Sequence, residues 1–123
     1  MRVLLSVGAL LGLTGVAAGA FGAHVLRDTL SPRLLEAFAT GARYHLLHAA
    51  VIVAIALALR AGAKGSLLVW TARVLALGTV IFSGSLYALA LSGVRAFGAI
   101  TPIGGLVLLS GWALLFAAAL RYR

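Results

Sequence analysis

Residues 3–26 read VLLSVGALLGLTGVAAGAFGAHVL, an apolar run of 24 residues without Asp, Glu, Lys or Arg. Two other gaps between charges are similarly long, because 21 residues separate Arg73 from Arg95 and 25 separate Arg95 from Arg121. A helix of about 20 apolar residues crosses the roughly 30 Å hydrocarbon core of a bilayer. These runs therefore predict membrane-spanning helices, with lipid as the main solvent of the chain.

Composition narrows the class of protein further. Of the 123 residues, 63% are hydrophobic and 10% are charged, whereas a soluble domain carries about 25% charged residues. The length allows one domain. The net charge is +8, but the basic residues are dispersed at the ends of apolar segments, where they meet lipid headgroups, so nucleic acid is not an expected partner. The chain has no cysteine, which excludes disulfide bonds and thiolate metal sites.

The first segment resembles a secretory signal peptide in three features: Arg2, the apolar run after it and the small residues Ala18-Gly19-Ala20. It continues beyond them to Leu26, which makes it longer than a typical signal-peptide core of about 7–15 residues. We therefore expect this run to be retained as a span.

Four spans are predicted in a single domain, residues 1–123. They cover about residues 3–26, 44–59, 67–91 and 102–120. Ser31 and Pro32 suit the N-cap and the first position of the second helix, which is expected to run to Leu59. By the same reasoning, Thr101-Pro102 is expected to open the fourth span.

Short connections between four spans predict an all-α, up-down-up-down transmembrane bundle with both termini on one side. The cations on that side are Arg2, Arg60, Lys64, Arg73, Arg121 and Arg123. Those on the opposite side are Arg27, Arg33, Arg43 and Arg95. The excess on the terminal side predicts that both termini lie in the cytoplasm.

Small residues recur on one face of three of the predicted helices. The glycines expected to pack helices together are Gly8, Gly12, Gly15, Gly19, Gly22, Gly78, Gly104 and Gly111. In lipid, helices associate through close backbone packing, which small residues permit. The pattern therefore predicts a tight bundle, and self-association along one stripe is an additional role.

Few polar residues are available to carry chemistry. The candidate polar cluster, at the end opposite the termini, consists of His24, Glu36, Arg43, Tyr44 and His48. A second candidate is the polar face of the third span, formed by Ser83, Ser85 and Tyr87. Ionisable groups at membrane depth are costly, so each prompts a functional hypothesis. On a continuous second helix, Glu36 and Arg43 lie about 170° from His45 and His48, so one helix does not aim all four groups at one point.

Several roles are open to these groups. Zinc accepts three imidazole ligands, but a histidine pair spaced i, i+3 without cysteine is a weak signal, so we expect no metal and no cofactor. We expect hydrogen bonds from the histidines to backbone or water instead, while a proton relay stays open because imidazole titrates near pH 6.5. Arg43 can pair with Glu36 on its own helix or with a group from another span. No catalytic triad or phosphate-binding loop is evident, so an enzyme is not favoured.

Four stretches together are similar to one known family. They are GAFGAH (residues 19–24), RYHLLH (43–48), FSGSLY (82–87) and TPIGG (101–105). Their order and spacing resemble the small membrane proteins called Domain of Unknown Function 423, which include animal proteins named transmembrane protein 256. The resemblance implies a four-span protein of the bacterial inner membrane and brings no established activity. The positions that match the family pattern are His24, Tyr44, His48, Ser83, Ser85, Tyr87 and Pro102, whereas relatives often carry glutamine in place of His45.

The residues and the resemblance together predict a small integral membrane protein. Its expected role is structural or interactive, with the lipid bilayer, a second copy of itself or another membrane protein as partner. One alternative is an oligomeric channel or transporter component, lined by Ser83, Ser85 or Tyr87. Another is a metal-binding or proton-relay site at His24 and His48.

Overall fold

Residues 1–121 are described by a computed structural model, in which four long helices follow one another with short connections. The helices are α1 (Arg2–His24), α2 (Pro32–Arg60), α3 (Ser66–Ser92) and α4 (Ala96–Arg121), and a 3-10 turn (Leu26–Asp28) lies between the first two. Each of the four helices is long and apolar enough to cross a membrane. The predicted all-α, four-helix membrane fold is thereby confirmed. Arg123, which contributed to the charge comparison, lies outside the described residues.

Local chemistry sets the ends of the central helices. The Ser31 hydroxyl accepts a hydrogen bond from the backbone N–H of Leu34 at 3.3 Å, and Pro32 follows at the first helical position. Both features are as predicted for the start of α2, and they satisfy a backbone donor that the first turn leaves unpaired. The helix α3 ends at Ser92 and is capped by Gly93, whose φ of 70° is left-handed. Glycine adopts this conformation without steric strain because it lacks a Cβ.

The start of α4 differs from the prediction. The helix begins at Ala96, so Pro102 lies inside it rather than at its first position. Residues 96–100 are AFGAI, and in an apolar environment such a segment gains from pairing its own backbone groups in a helix. That gain outweighs the single N–H that Pro102 lacks. The preference of proline for the first turn of a helix therefore indicated a helix here, but it placed the helix start at Pro102 instead of Ala96.

The four helices do not share burial equally. In the most apolar window of each helix, 44% of residues are buried in α2 and 39% in α3, against 17% in α1 and 22% in α4. Extensive contacts join α1 to α2, α2 to α3 and α3 to α4. The helices α2 and α3 therefore form a central pair, with α1 packed on α2 and α4 packed on α3, and the outer helices leave wide apolar faces uncovered.

Glycines bring the packed helices close together. A Cβ added at Gly8 would lie 2.8 Å from Val53, one at Gly22 would lie 2.8 Å from Phe38, and one at Gly104 would lie 2.5 Å from the backbone nitrogen of Phe82. The predicted packing glycines that lie against a neighbouring helix are Gly8, Gly15, Gly22, Gly78, Gly104 and Gly111. As the residue numbers of the contacting glycines increase along α1, the numbers of their partners on α2 decrease, so the two helices are antiparallel.

Gly12 and Gly19 do not pack against another helix of the same molecule. A Cβ added at either position would meet no neighbouring atom within 4 Å. The reason is rotation about the helix axis, because Gly12 is turned about 40° from Gly8 at roughly 100° per residue. Gly8, Gly15 and Gly22, which are spaced seven residues apart, face α2. Gly12 and Gly19 lie beside them on α1 and face no other helix.

Candidate functional site

The buried His45 joins three helices through both of its ring nitrogens. Its Nε2 lies 3.2 Å from the hydroxyl of Thr14 on α1, and its Nδ1 lies 2.9 Å from the hydroxyl of Tyr87 on α3. The Thr14 hydroxyl donates its proton to the carbonyl of Leu10, at 2.8 Å. Its oxygen is then the acceptor for Nε2–H, and in a neutral imidazole Nδ1 accepts from the Tyr87 hydroxyl. This assignment describes a neutral imidazole with every polar atom paired.

The neighbouring His48 forms hydrogen bonds within α2 and to α4. Its Nδ1 lies 2.7 Å from the backbone carbonyl of Tyr44, and the indole Nε1–H of Trp112 on α4 donates to its Nε2 at 3.1 Å. A carbonyl only accepts and an indole only donates, so the tautomer is fixed with the proton on Nδ1. The imidazole is 2% exposed, and its contact with Trp112 links the central pair of helices to α4.

These two histidines therefore act as connectors in different directions. His45 ties α2 to α1 and α3, whereas His48 ties α2 to α4. A metal ligand must offer a nitrogen lone pair, and the Nε2 lone pair of His48 already accepts from Trp112. Over residues 1–121, no group of three or more His, Cys, Asp or Glu side chains is arranged to hold a metal ion.

The rest of the candidate polar cluster is divided among separate places. His24 is exposed at the last residue of α1, about 15 Å along that helix from Thr14 at 1.5 Å per residue. Glu36 lies about 18 Å from His48 along α2 by the same rise. The convergence of His24, Glu36 and His48 that a metal or catalytic centre would need is therefore not formed.

Arg43 takes the partner on its own helix. Its guanidinium donates to Glu36 Oε1 at 2.7 Å and to the hydroxyl of Thr40 at 3.2 Å. Both charged side chains are well exposed, at 64% and 69%, so the pair adds little to stability and instead keeps an arginine neutralised near the end of the span. Tyr44 lies on the other side of α2, where its ring packs on Phe82 with centroids 4.6 Å apart.

The polar face predicted on α3 is directed at different helices. Ser83 donates to the backbone carbonyl of Gly41 on α2 at 2.7 Å, and Ser85 shares a hydrogen bond of 2.6 Å with Thr101 on α4. Tyr87 reaches His45, as described above, and a Cβ at Gly41 would lie 2.9 Å from its ring. These side chains connect helices rather than lining one surface.

No buried side-chain nitrogen or oxygen within the described part of the chain lacks a hydrogen-bond partner. In lipid, an unpaired polar group costs several kcal/mol in principle, so full pairing is what a stable interior requires. Sequence reasoning had not identified Thr14 or the Gly41 carbonyl as partners. For Trp112 a signal existed, because its position in the middle of a span is unusual for tryptophan, which favours the membrane interface.

Comparison with known proteins identifies the family of this chain. Residues 18–105 match the family described as "Protein of unknown function (DUF423)". The chain belongs to the DUF423 family. The matched region begins inside α1 and ends inside α4, so it includes His45, His48 and the whole polar face of α3.

Curated members of the DUF423 family are similar over almost the full chain. UPF0382 inner membrane protein YgdD of Escherichia coli (strain K12) is 42% identical over 99% of this chain and 92% of its own length. A UPF0382 membrane protein of Staphylococcus epidermidis (strain ATCC 12228) is 40% identical over 99% of this chain and 98% of its own. No solved structure matches the chain significantly. The protein is thus a small integral membrane protein in contact with the lipid bilayer.

Proposed function

We propose that the protein acts as a structural or interaction protein, a helix bundle that works through its outer surfaces. The observation that carries this proposal is that, over residues 1–121, every buried side-chain nitrogen and oxygen is hydrogen-bonded. His45, His48 and Tyr87 each connect helices of the same molecule. A reaction centre needs polar groups that can bind a substrate, whereas these side chains are hydrogen-bonded within the protein.

The outer helices supply the surfaces. Leu13 and Val16 of α1 are 69% and 61% exposed, and Leu109 and Phe116 of α4 are 66% and 68% exposed. Apolar side chains in this position are suited to lipid or to the helix of another membrane protein, including a second copy. The proposed location is the bacterial inner membrane, which is supported by the name of the Escherichia coli relative.

Reconstitution into liposomes tests the proposal against the channel alternative. Purified protein is incorporated into vesicles loaded with a fluorescent ion reporter, and leakage is compared with that of empty vesicles. We expect equal leakage, since Ser83, Ser85 and Tyr87 are hydrogen-bonded between helices. Protein-dependent flux that changes in the Ser83→Ala or Tyr87→Phe variant would refute the proposal in favour of a conducting pore.

The orientation is a further part of the proposal. An up-down-up-down passage with both termini in the cytoplasm is supported by the short connections and by the larger number of cations on the terminal side. The chain has no cysteine, so single-cysteine labelling needs no background removal. Thr29→Cys lies in the connection between α1 and α2, and Ser66→Cys lies at the exposed first residue of α3; neither substitution changes a charge. With a membrane-impermeant maleimide, we expect labelling of Thr29→Cys from the periplasm and of Ser66→Cys only after lysis; the reverse result would invert the orientation.

A further inference from the structure

Two cavities follow one another along the side of the bundle where α2 faces α4. The first has a volume of about 430 Å³ and is lined by Arg33, Leu34, Ala37, Leu89, Arg95 and Gly98. The second has a volume of about 720 Å³, and its lining includes Tyr44, His48, Pro102, Leu109 and Trp112. Tyr44 follows Ala37 by seven positions and Pro102 follows Gly98 by four, so both cavities lie on the same helix faces. We call them together the α2–α4 groove.

The mouth of the α2–α4 groove is cationic. Arg33 and Arg95 flank it from different segments, and of the described carboxylates neither Asp28 nor Glu36 lines it. Glu36 is directed to the α1 side of α2, where it pairs with Arg43. Guanidinium groups bind phosphate through two parallel hydrogen bonds, and two of them at the end of membrane helices lie at the level of lipid headgroups.

Below the mouth the groove is apolar and aromatic. From Arg33 to His48 it extends about 22 Å along α2 at 1.5 Å per residue, which exceeds half of a roughly 30 Å hydrocarbon core. The histidine of the lower cavity, His48, has both ring nitrogens hydrogen-bonded. The groove thus has the polarity profile of a single amphiphile, with an anionic head at one end and an acyl chain within one leaflet.

The geometry points to an anionic glycerophospholipid as the occupant of the α2–α4 groove, with its phosphate between Arg33 and Arg95 and an acyl chain against Pro102 and Trp112. This inference deepens the proposed function by naming one lipid partner and rests on it. The pair of arginines without a carboxylate favours this occupant over a second copy of the chain, whose net charge of +8 would repel such a mouth.

Native mass spectrometry of the detergent-solubilised protein, titrated with phosphatidylglycerol or phosphatidylcholine, tests the inference. We expect tighter binding of phosphatidylglycerol by about fivefold or more. Arg33→Gln and Arg95→Gln should each weaken it about fivefold, from about 1 kcal/mol per interfacial cation, and the double variant about 25-fold. The matched control is Arg60→Gln with Lys64→Gln, which removes the same charge at the opposite end and should leave the preference intact.

A second pair of variants tests the acyl-chain part. At Gly105 a Cβ would meet only ring atoms of Phe82 at 4.0 Å, so Gly105→Leu fills the groove without distorting the backbone. Gly84→Leu adds the same side chain to an exposed face of α3 with no atom within 4 Å. We expect weaker phosphatidylglycerol binding in Gly105→Leu alone, with unchanged helix content by circular dichroism in both.

Three results would overturn the inference. The first is equal affinity for phosphatidylglycerol and phosphatidylcholine. The second is an equal loss of phosphatidylglycerol affinity in the Arg33/Arg95 variants and in the Arg60/Lys64 control. The third is a dimer that Gly105→Leu dissociates, which would assign the groove to a second copy. Each can occur while the vesicle-leakage experiment shows no flux. The lipid site can therefore fail without the proposed function failing, and protein-dependent flux would overturn the proposed function separately.

Discussion

Replacement of Gly104 by alanine should strongly destabilise the contact between α3 and α4. A Cβ at this position would lie 2.5 Å from the backbone nitrogen and 2.6 Å from the Cα of Phe82, whereas ordinary contacts begin at 3.4 Å. Backbone atoms have no rotamer to change, so the two helices must move apart by most of the missing distance. A gap of about 0.5–1 Å forfeits a quarter to a half of the dispersion energy of the atoms on either side.

The magnitude follows from comparison with two control glycines. Gly84→Ala adds the same methyl group where no atom lies within 4 Å, so it contributes only the gain in helix propensity, about 1 kcal/mol. Gly111→Ala has the same shortest distance of 2.5 Å, but that atom is the end of the flexible Leu75 side chain. Relative to Gly84→Ala, we expect Gly104→Ala to lose about 2–3 kcal/mol, the upper part of the range for overpacking, and Gly111→Ala to lose about 1 kcal/mol.

Unfolding in dodecyl maltoside micelles titrated with dodecyl sulfate measures these differences. Far-UV circular dichroism follows total helix content, while fluorescence of Trp112, which contacts His48 of α2, follows the separation of α4 from the central helices. The expected order of stability is Gly84→Ala, then Gly111→Ala, then Gly104→Ala. If Gly104→Ala unfolds at the same dodecyl sulfate fraction as Gly84→Ala, the close approach of α3 and α4 is not the main source of their association.

Three further outcomes are expected. Gly15→Leu should disrupt folding or assembly, seen in elution volume and melting temperature, because a Cβ there lies 3.0 Å from a side chain of α2, while Gly12→Leu on the open edge should not. His45→Leu should lower the free energy of unfolding by about 0.6–1.7 kcal/mol per lost interhelical hydrogen bond, and His45→Gln should retain most of it because an amide also donates and accepts. Trp112→Phe should lose one such bond in the same assay, whereas Trp70→Phe should leave stability nearly unchanged.

The helices were predictable because the solvent dictates them. Long runs without charge have one stable arrangement in lipid, since a helix pairs every backbone group internally. The Ser31 and Pro32 signal placed the start of α2 correctly for the same reason, as it is local chemistry. Pro102 misled because the same residue tolerates both the first turn and the interior of a membrane helix, and only the apolar residues before it decide between them.

The sequence predicted on which face of α2 each candidate side chain lies, but not which side chain of another helix it contacts. Periodicity placed Glu36 and Arg43 on the face opposite His45 and His48, and the structure shows the first pair exposed and the second buried. A helical wheel contains no information on the depth at which one helix meets the next. The contact of His45 with Thr14 depends on that register, and so does the tautomer that follows from it.

The glycine stripe of α1 shows how helix register places one sequence pattern in two environments. Gly8 meets α2 near Val53 and Gly22 meets it near Phe38, so 14 residues of one helix match 15 of the other and the same edge stays in contact throughout. Gly12 and Gly19, turned to the side, gain nothing from that register and leave a surface that backbone atoms of another molecule can approach. Because the buried polar groups of residues 1–121 are paired and small residues also remain on the outside, we expect the outer surfaces of this bundle to carry its activity, as proposed above.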